Sequence, residues 1–168
     1  MNENPIVSVV MGSRSDLDTM TEATKVLSEF DVAYETRIVS AHRTPKQAHE
    51  FAAGARERGL RIIIAAAGKA AHLAGVLASL TTLPVIGVPM TTTDLGGLDS
   101  LLSTVQMPGG IPVATMAIGS SGARNAALLA VAVLGLGDEE LASRLASYRQ
   151  RMERKVEGAD AEVRAGTG

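Results

Sequence analysis

Arg61-Ile62-Ile63-Ile64-Ala65-Ala66 decides how this chain folds. Three consecutive isoleucines leave no polar alternate position, so a strand here is covered on both faces, as the strands of a parallel sheet are. The stretch runs on through Gly68 into an Ala-rich helical pattern over residues 70–80. Working outward, the same punctuation recurs. On the N-terminal side, residues 6–11 form a short apolar run that stops at Gly12-Ser13. Residues 16–30 then place Leu17, Met20, Ala23, Thr24 and Leu27 near one helical face. Residues 32–39 predict a second strand. Residues 45–58 predict a second helix with Pro45 at its first position, where a missing N–H is harmless. On the C-terminal side, 84–88 predict a fourth strand, 95–105 a short helix and 112–117 a fifth strand. Residues 122–134 predict a buried helix, apolar almost all round. Five strand–helix alternations favour a three-layer, doubly wound α/β domain with a parallel sheet. They are too few for an eight-fold barrel.

The length of 168 residues suits one domain, expected to span residues 1–157. There are 26 Ala and 17 Gly, and 46% of the chain is hydrophobic, too apolar for disorder. The absence of Cys excludes disulfides, thiolate metal sites, iron–sulfur clusters and a cysteine nucleophile. Two Phe, two Tyr and no Trp leave almost nothing to stack on bases, and a net charge of −2 removes the bulk electrostatic case for nucleic acid or an anionic membrane. Apolar runs fall far short of the roughly 20 residues of a membrane helix. Residues 1–6 lack the charged start and apolar stretch of a secretory peptide. The cytoplasm is therefore the expected location. After the fifth unit, Asp138 can cap an extra C-terminal helix in which Leu141, Leu145, Tyr148 and Met152 form an apolar stripe. That stripe needs a surface, either its own domain or a neighbouring subunit. Residues 158–168, rich in Gly, Ala, Asp, Glu and Thr, read as a frayed tail.

Ligands of open α/β sheets bind beyond the carboxyl ends of the strands, and three such loops are unusual here. The first is Met11-Gly12-Ser13-Arg14-Ser15-Asp16. Ser13 and Asp16 have the spacing of a capping box; equally, the hydroxyls, backbone N–H groups and positive helix end can hold a phosphate, with Asp16 suited to sugar hydroxyls. The second is Ser40-Ala41-His42-Arg43-Thr44-Pro45. Arg43 offers a planar fork to phosphate, and His42 is the side-chain type that moves protons near neutral pH. The third runs from Ala66 through Gly68 and Lys69 to His72, Leu73 and Gly75, small residues that let a substrate approach the backbone. With three His in the chain and His49 alone in mid-helix, a metal site is not expected. His49 reads as a surface residue.

Together the blocks MGSRSD (11–16), SAHRTP (40–45), AAHLAG (70–75), GLDSLLSTVQMPGGIPVATMAIG (97–119) and NAALLA (125–130) resemble the PurE family. These are the N5-carboxyaminoimidazole ribonucleotide mutases of purine biosynthesis, and the resemblance covers roughly residues 6–136, with block order and spacing kept. It implies a flavodoxin-like domain assembled as a homo-octamer, a small-molecule ribonucleotide substrate, and neither metal nor organic cofactor. It also implies that carboxylate passes from N5 of the substrate to C4 of the imidazole through carbon dioxide held in the site. Carried over residue by residue, Ser13, Ser15, Asp16, Ser40 and Arg43 hold phosphate and ribose. His42 is the general acid/base for the proton at C4, while Gly68, His72 and Leu73 enclose the carboxylate and base. Such chemistry needs one proton carrier of suitable pKa and a dry pocket.

The third loop departs from the family pattern Gly-Ala-Gly-Gly-Ala-Ala-His-Leu-Pro-Gly: Ala66 and Lys69 replace glycines and Ala74 replaces the proline. A positive φ at position 69 would strain a lysine. Its cation then either points to solvent or a subunit boundary without effect, or alters activity at the carboxylate pocket. Two other functions stay open: carboxylation of aminoimidazole ribonucleotide by free carbon dioxide, and a non-catalytic ribonucleotide-binding protein of the same fold.

Overall fold

A computed structural model describes residues 4–166. The first three residues and the last two of the expected tail lie outside them. Five strands, β1 (Val7–Met11), β2 (Tyr34–Ile38), β3 (Ile62–Ala67), β4 (Val85–Pro89) and β5 (Ala114–Thr115), form one parallel sheet in the order β2-β1-β3-β4-β5. This is the doubly wound, flavodoxin-like order, the fold class expected. The helices are α1 (Leu17–Glu29), α2 (Pro45–Ala53), α3 (Leu73–Leu80), α4 (Leu98–Val105), α5 (Ser120–Gly135) and α6 (Glu139–Gly166).

The isoleucine run lies on the central strand, and Ile62, Ile63 and Ile64 are buried, as two-sided cover requires. From β1 the chain steps outward to β2, then returns past β1 to β3 and continues to β5. Right-handed crossovers therefore put α1 on one face and α2, α3 and α4 on the other. On the second face Val10, Ile63, Ala65 and Val85 pack with Phe51, Ala52, Leu73, Ala74 and Leu77. The first face receives Met20, Ala23, Val26 and Leu27 from α1. Each large side chain buried this way contributes about 1.5–3 kcal/mol.

Element limits differ from expectation where tertiary contacts intervene. The second helix stops at Ala53, not 58, because Ala55 and Leu60 are both buried and the Leu60 N–H bonds Ala55 O, turning the chain into β3. The fifth strand keeps only two residues, since it is an edge strand paired on one side. The expected all-round burial of α5 is corrected over its first part: Ala123, Ala126, Ala127 and Ala130 form a buried face, but Arg124 and Asn125 are exposed. Arg124 Nη2 bonds Glu22 Oε2 of α1 at 2.6 Å. Gly122 has a packing reason rather than a turn reason. A Cβ there would lie 1.6 Å from the Ala117 carbonyl oxygen.

The chain forms two compact units, the first ending at Ala130 and the second beginning at Val131. In the second, Asp138 Oδ1 accepts the Leu141 N–H at 3.0 Å, the cap that the sequence predicts. Leu141 is buried, whereas Met152, Val156 and Val163 are exposed. Helix α6 continues through Gly158 to Gly166, where a frayed tail was the expectation. Ala159, Ala161, Glu162 and Ala165 are good helix formers, and Asp160 pairs with Arg164 at 3.7 Å. Together these offset the roughly 1 kcal/mol that an interior glycine costs. Among the described residues no helix is long and apolar enough to cross a membrane.

Candidate active site

The carboxyl ends of β1 to β4 open onto one cleft of about 540 Å³. The strand order reverses between β1 and β3, the crevice where such sheets bind ligands. Backbone bonds just past the strands align the loop starts: Gly12 N–H to Ala66 O (3.1 Å), Val39 N–H to Met11 O (2.9 Å) and Met90 N–H to Ala67 O (2.9 Å). Of the residues expected at the site, Ser13, Ser15, Asp16, Ser40, His42, Arg43, Gly68, His72 and Leu73 all line this cleft.

Part of the lining is polar. Ser13 accepts the Ser15 N–H (3.3 Å) and lies 3.0 Å from the Ser15 hydroxyl, so it caps a 3₁₀ turn, Arg14–Asp16; the Asp16 N–H goes to Ser13 O (3.2 Å), and of the expected box only the bond from the Ser13 backbone to the Asp16 carboxylate is present. The tighter turn brings the Ser15 donor within reach first. Asp16 makes no side-chain cap bond to α1 and instead accepts from the Ser15 hydroxyl at 3.2 Å. Burial raises the Asp16 pKa above the usual carboxylate value, against opposing hydrogen bonds from Ser15 and the Ser13 backbone and the charge of Arg43. Arg43 crosses between loops, with Nη2 on Gly12 O at 3.0 Å and its backbone N–H on Ser40 Oγ at 3.2 Å. Thr44 closes its own loop by accepting the Ser40 N–H (3.1 Å) and donating to Ser40 O (3.0 Å). Arginine fork, serine hydroxyls and turn amides are the donor set for a phosphate.

The same cleft is lined by two titratable rings. His42 Nε2 and His72 Nδ1 lie 3.0 Å apart, with the rings nearly perpendicular at 87°. A hydrogen bond there needs a proton on only one of the two facing nitrogens, so the pair can hold or pass a proton. His72 stands at the N-terminal cap of α3, which begins at Leu73, three residues later than the expected helix over 70–80. Leu73 beside it is buried. A Cβ on Gly68 would lie 3.4 Å from Met90 Cβ and 3.6 Å from Thr92 Cγ2, so this loop packs closely against the next one. His49 is exposed on α2, as read from its position. Among the described residues no group of three or more His, Cys, Asp or Glu is arranged to hold a metal ion.

Of the three departures in the third loop, residue 69 alone borders the cleft. Ala66 and Ala74 are buried packing positions. Lys69 has φ +59°, and its Nζ pairs with Asp94 Oδ2 at 2.5 Å, so it is not simply free in solvent. Sequence reasoning missed a fourth wall, Met90, Thr91, Thr92 and Thr93, in the loop after β4. The signal was present: three hydroxyl residues follow an apolar strand at its carboxyl end.

Comparison with known proteins adds to this geometry. The chain matches the family model for AIR carboxylase over residues 6–155. It is similar to the N5-carboxyaminoimidazole ribonucleotide mutase of Pyrococcus horikoshii, with 58% identity over 156 residues covering 93% of this chain and 87% of that protein. The protein of the same name from Bacillus subtilis is 55% identical over 90% of this chain and 94% of its own. That of Mycobacterium tuberculosis strain H37Rv is 53% identical over 96% and 91% respectively. Among solved structures, Treponema denticola PurE superposes with a TM-score of 0.83 at 28% identity, covering 94% of this chain and 98% of that one.

Proposed function

The chain belongs to the AIR carboxylase family, and from its 53–58% identity to N5-carboxyaminoimidazole ribonucleotide mutases we propose that it is such a mutase, an isomerase of purine biosynthesis. Ser13, Ser15, Asp16, Ser40 and Arg43 hold the phosphate and ribose, far enough from the reacting atoms that their binding energy positions the imidazole. His42 gives a proton to N5 as the bond from N5 to the carboxylate carbon breaks, leaving carbon dioxide beside aminoimidazole ribonucleotide. C4 then attacks that carbon, and the C4 proton returns to His42. The transfer balances with one proton and no change of oxidation state, so it calls for no cofactor. Gly68, His72 and Leu73 enclose the base and the migrating carboxylate, where exclusion of water keeps carbon dioxide close.

The observation that carries this reading is the meeting of His42 and His72, 3.0 Å apart, on the cleft that the serine–aspartate–arginine set also lines. A spectroscopic assay on purified protein tests it. Conversion of N5-carboxyaminoimidazole ribonucleotide without added bicarbonate is expected. Product formed only from aminoimidazole ribonucleotide and bicarbonate would assign free-carbon-dioxide carboxylation instead, and ribonucleotide binding without turnover would assign a binding protein.

The proposal includes a cytoplasmic homo-octamer. Leu95, Leu98, Leu102 and Val105, spaced three, four and three residues apart, are all exposed on and just before α4. An uncovered aliphatic stripe of this kind favours burial against another subunit. Light scattering should give the mass of eight chains, and Leu102→Asp should lower it.

A further inference from the structure

The two loops that flank the cleft after β3 and β4 are tied together at residue 69. Lys69 sits in the left-handed region at φ +59°, and the only other non-glycine of positive φ among the described residues is Asp31. A lysine is unfavourable there, so its surroundings must hold it. Its backbone is anchored on α4 through the N–H. Its N–H bonds the buried Ser100 Oγ at 2.9 Å, and its carbonyl lies 3.3 Å from Ser103 Oγ, whose proton goes mainly to Asp99 O at 2.6 Å. The side chain then reaches sideways to Asp94, with Nζ–Oδ2 at 2.5 Å. Asp94 directly follows the cleft-lining Thr91, Thr92 and Thr93. That segment is itself fixed: Thr92 Oγ1 donates to Asp99 Oδ1 at 2.8 Å and accepts the Gly97 N–H at 3.0 Å. The hydrogen bond from Lys69 holds the Asp94 pKa below the usual range, and Asp94 raises that of Lys69, so both stay charged through neutral pH.

We infer that Lys69 is a positioning residue whose ion pair with Asp94 holds the loop after β3 against the loop after β4 and keeps carbon dioxide in the cleft during the transfer. The second half of this inference rests on the mutase activity; the first does not. An ion pair between exposed side chains is weak and salt-sensitive. The expected effects are therefore small multiples, not losses of activity.

Hydrogen–deuterium exchange on wild type, Lys69→Met, Asp94→Asn and the double variant Lys69→Asp/Asp94→Lys reads the tie without substrate. Amides of residues 68–71 and 91–95 should exchange about two- to fivefold faster in each single variant, the range open to an exposed pair. They should return toward wild type in the swapped pair. Wild type in about 0.5 M salt should show the same rise, independently of any substitution. The consequence is read as the share of consumed substrate that ends as aminoimidazole ribonucleotide, with ¹³C-bicarbonate entering the product, corrected for breakdown without protein. Both should rise by the same factor in the single variants and recover in the double one. Equal amide exchange in all four proteins, with no salt effect, overturns the tie. Faster exchange with an unchanged leak overturns the role in retaining carbon dioxide. A wild type that turns over no substrate overturns the mutase activity and with it the retention role, while the exchange data still decide the tie.

Discussion

His42 Nε2 faces His72 Nδ1 at 3.0 Å, although the two residues are 30 apart in sequence. The contact joins the loop after β2 to the N-terminus of α3, so each ring limits the other's rotation. A proton carrier held in this way needs little reorganisation when the substrate arrives.

His42→Asn removes the proposed proton carrier but leaves Ser13, Ser15, Asp16, Ser40 and Arg43 in place. Turnover should fall by about 10²–10⁴-fold, the usual contribution of a general acid/base. Ribonucleotide affinity by calorimetry should change little. Near-full turnover would remove His42 from the mechanism.

Arg43→Lys keeps the charge and loses the fork that bonds Gly12 O and that we propose holds the phosphate. Charge-assisted hydrogen bonds are worth about 1.5–3 kcal/mol, so affinity should drop by at least about tenfold. Calorimetry with the ribonucleotide product measures this, and an unchanged Kd would place the phosphate elsewhere.

Asp16 gives a pH-dependent prediction. Burial raises its pKa in the folded protein, so folding favours the protonated form. Its contribution to stability is fully present below the unfolded-state pKa and is lost as pH rises through the raised folded-state value. At neutral pH Asp16→Asn should therefore raise Tm slightly, and the gain should vanish in acid, where the native carboxyl is protonated too. The same variant should weaken ribonucleotide binding at neutral pH. A Tm difference independent of pH would contradict the assignment.

Gly122→Ala places a methyl group on the Ala117 carbonyl oxygen, at 1.6 Å before any relaxation. Backbone, not a flexible side chain, would have to move. Destabilisation of at least about 2–3 kcal/mol should follow, visible in the urea midpoint. A midpoint like that of wild type would mean that the start of α5 shifts freely.

Much of the fold was legible because its signals are short-range. Ile62-Ile63-Ile64 could only be a two-sided strand, Pro45 did begin α2, and Asp138 did cap α6. Errors fell where one local signal outweighed another, or where only the sheet brings two loops together. The spacing of Ser13 and Asp16 suits a capping box, but the 3₁₀ turn at the cleft gives Ser13 a nearer donor. Gly158 reads as the start of a tail, yet the alanines and the Asp160–Arg164 pair carry the helix to Gly166. The fourth wall, Thr91 to Thr93, was passed over because hydroxyl residues in a loop look ordinary until the sheet order puts them beside Gly68.

Strand and helix identity, the cleft's position at the strand ends and most of its side chains followed from the sequence by itself. Periodicity and turn chemistry act between near neighbours, and a doubly wound sheet gathers its carboxyl-end loops on one edge. Only the tertiary structure decided which side chains meet. It set His42 against His72, Arg43 on Gly12, and Lys69 in a left-handed conformation with its charge on Asp94. Those pairings join separate loops, and their distances depend on strand order and register, which no local run of residues encodes.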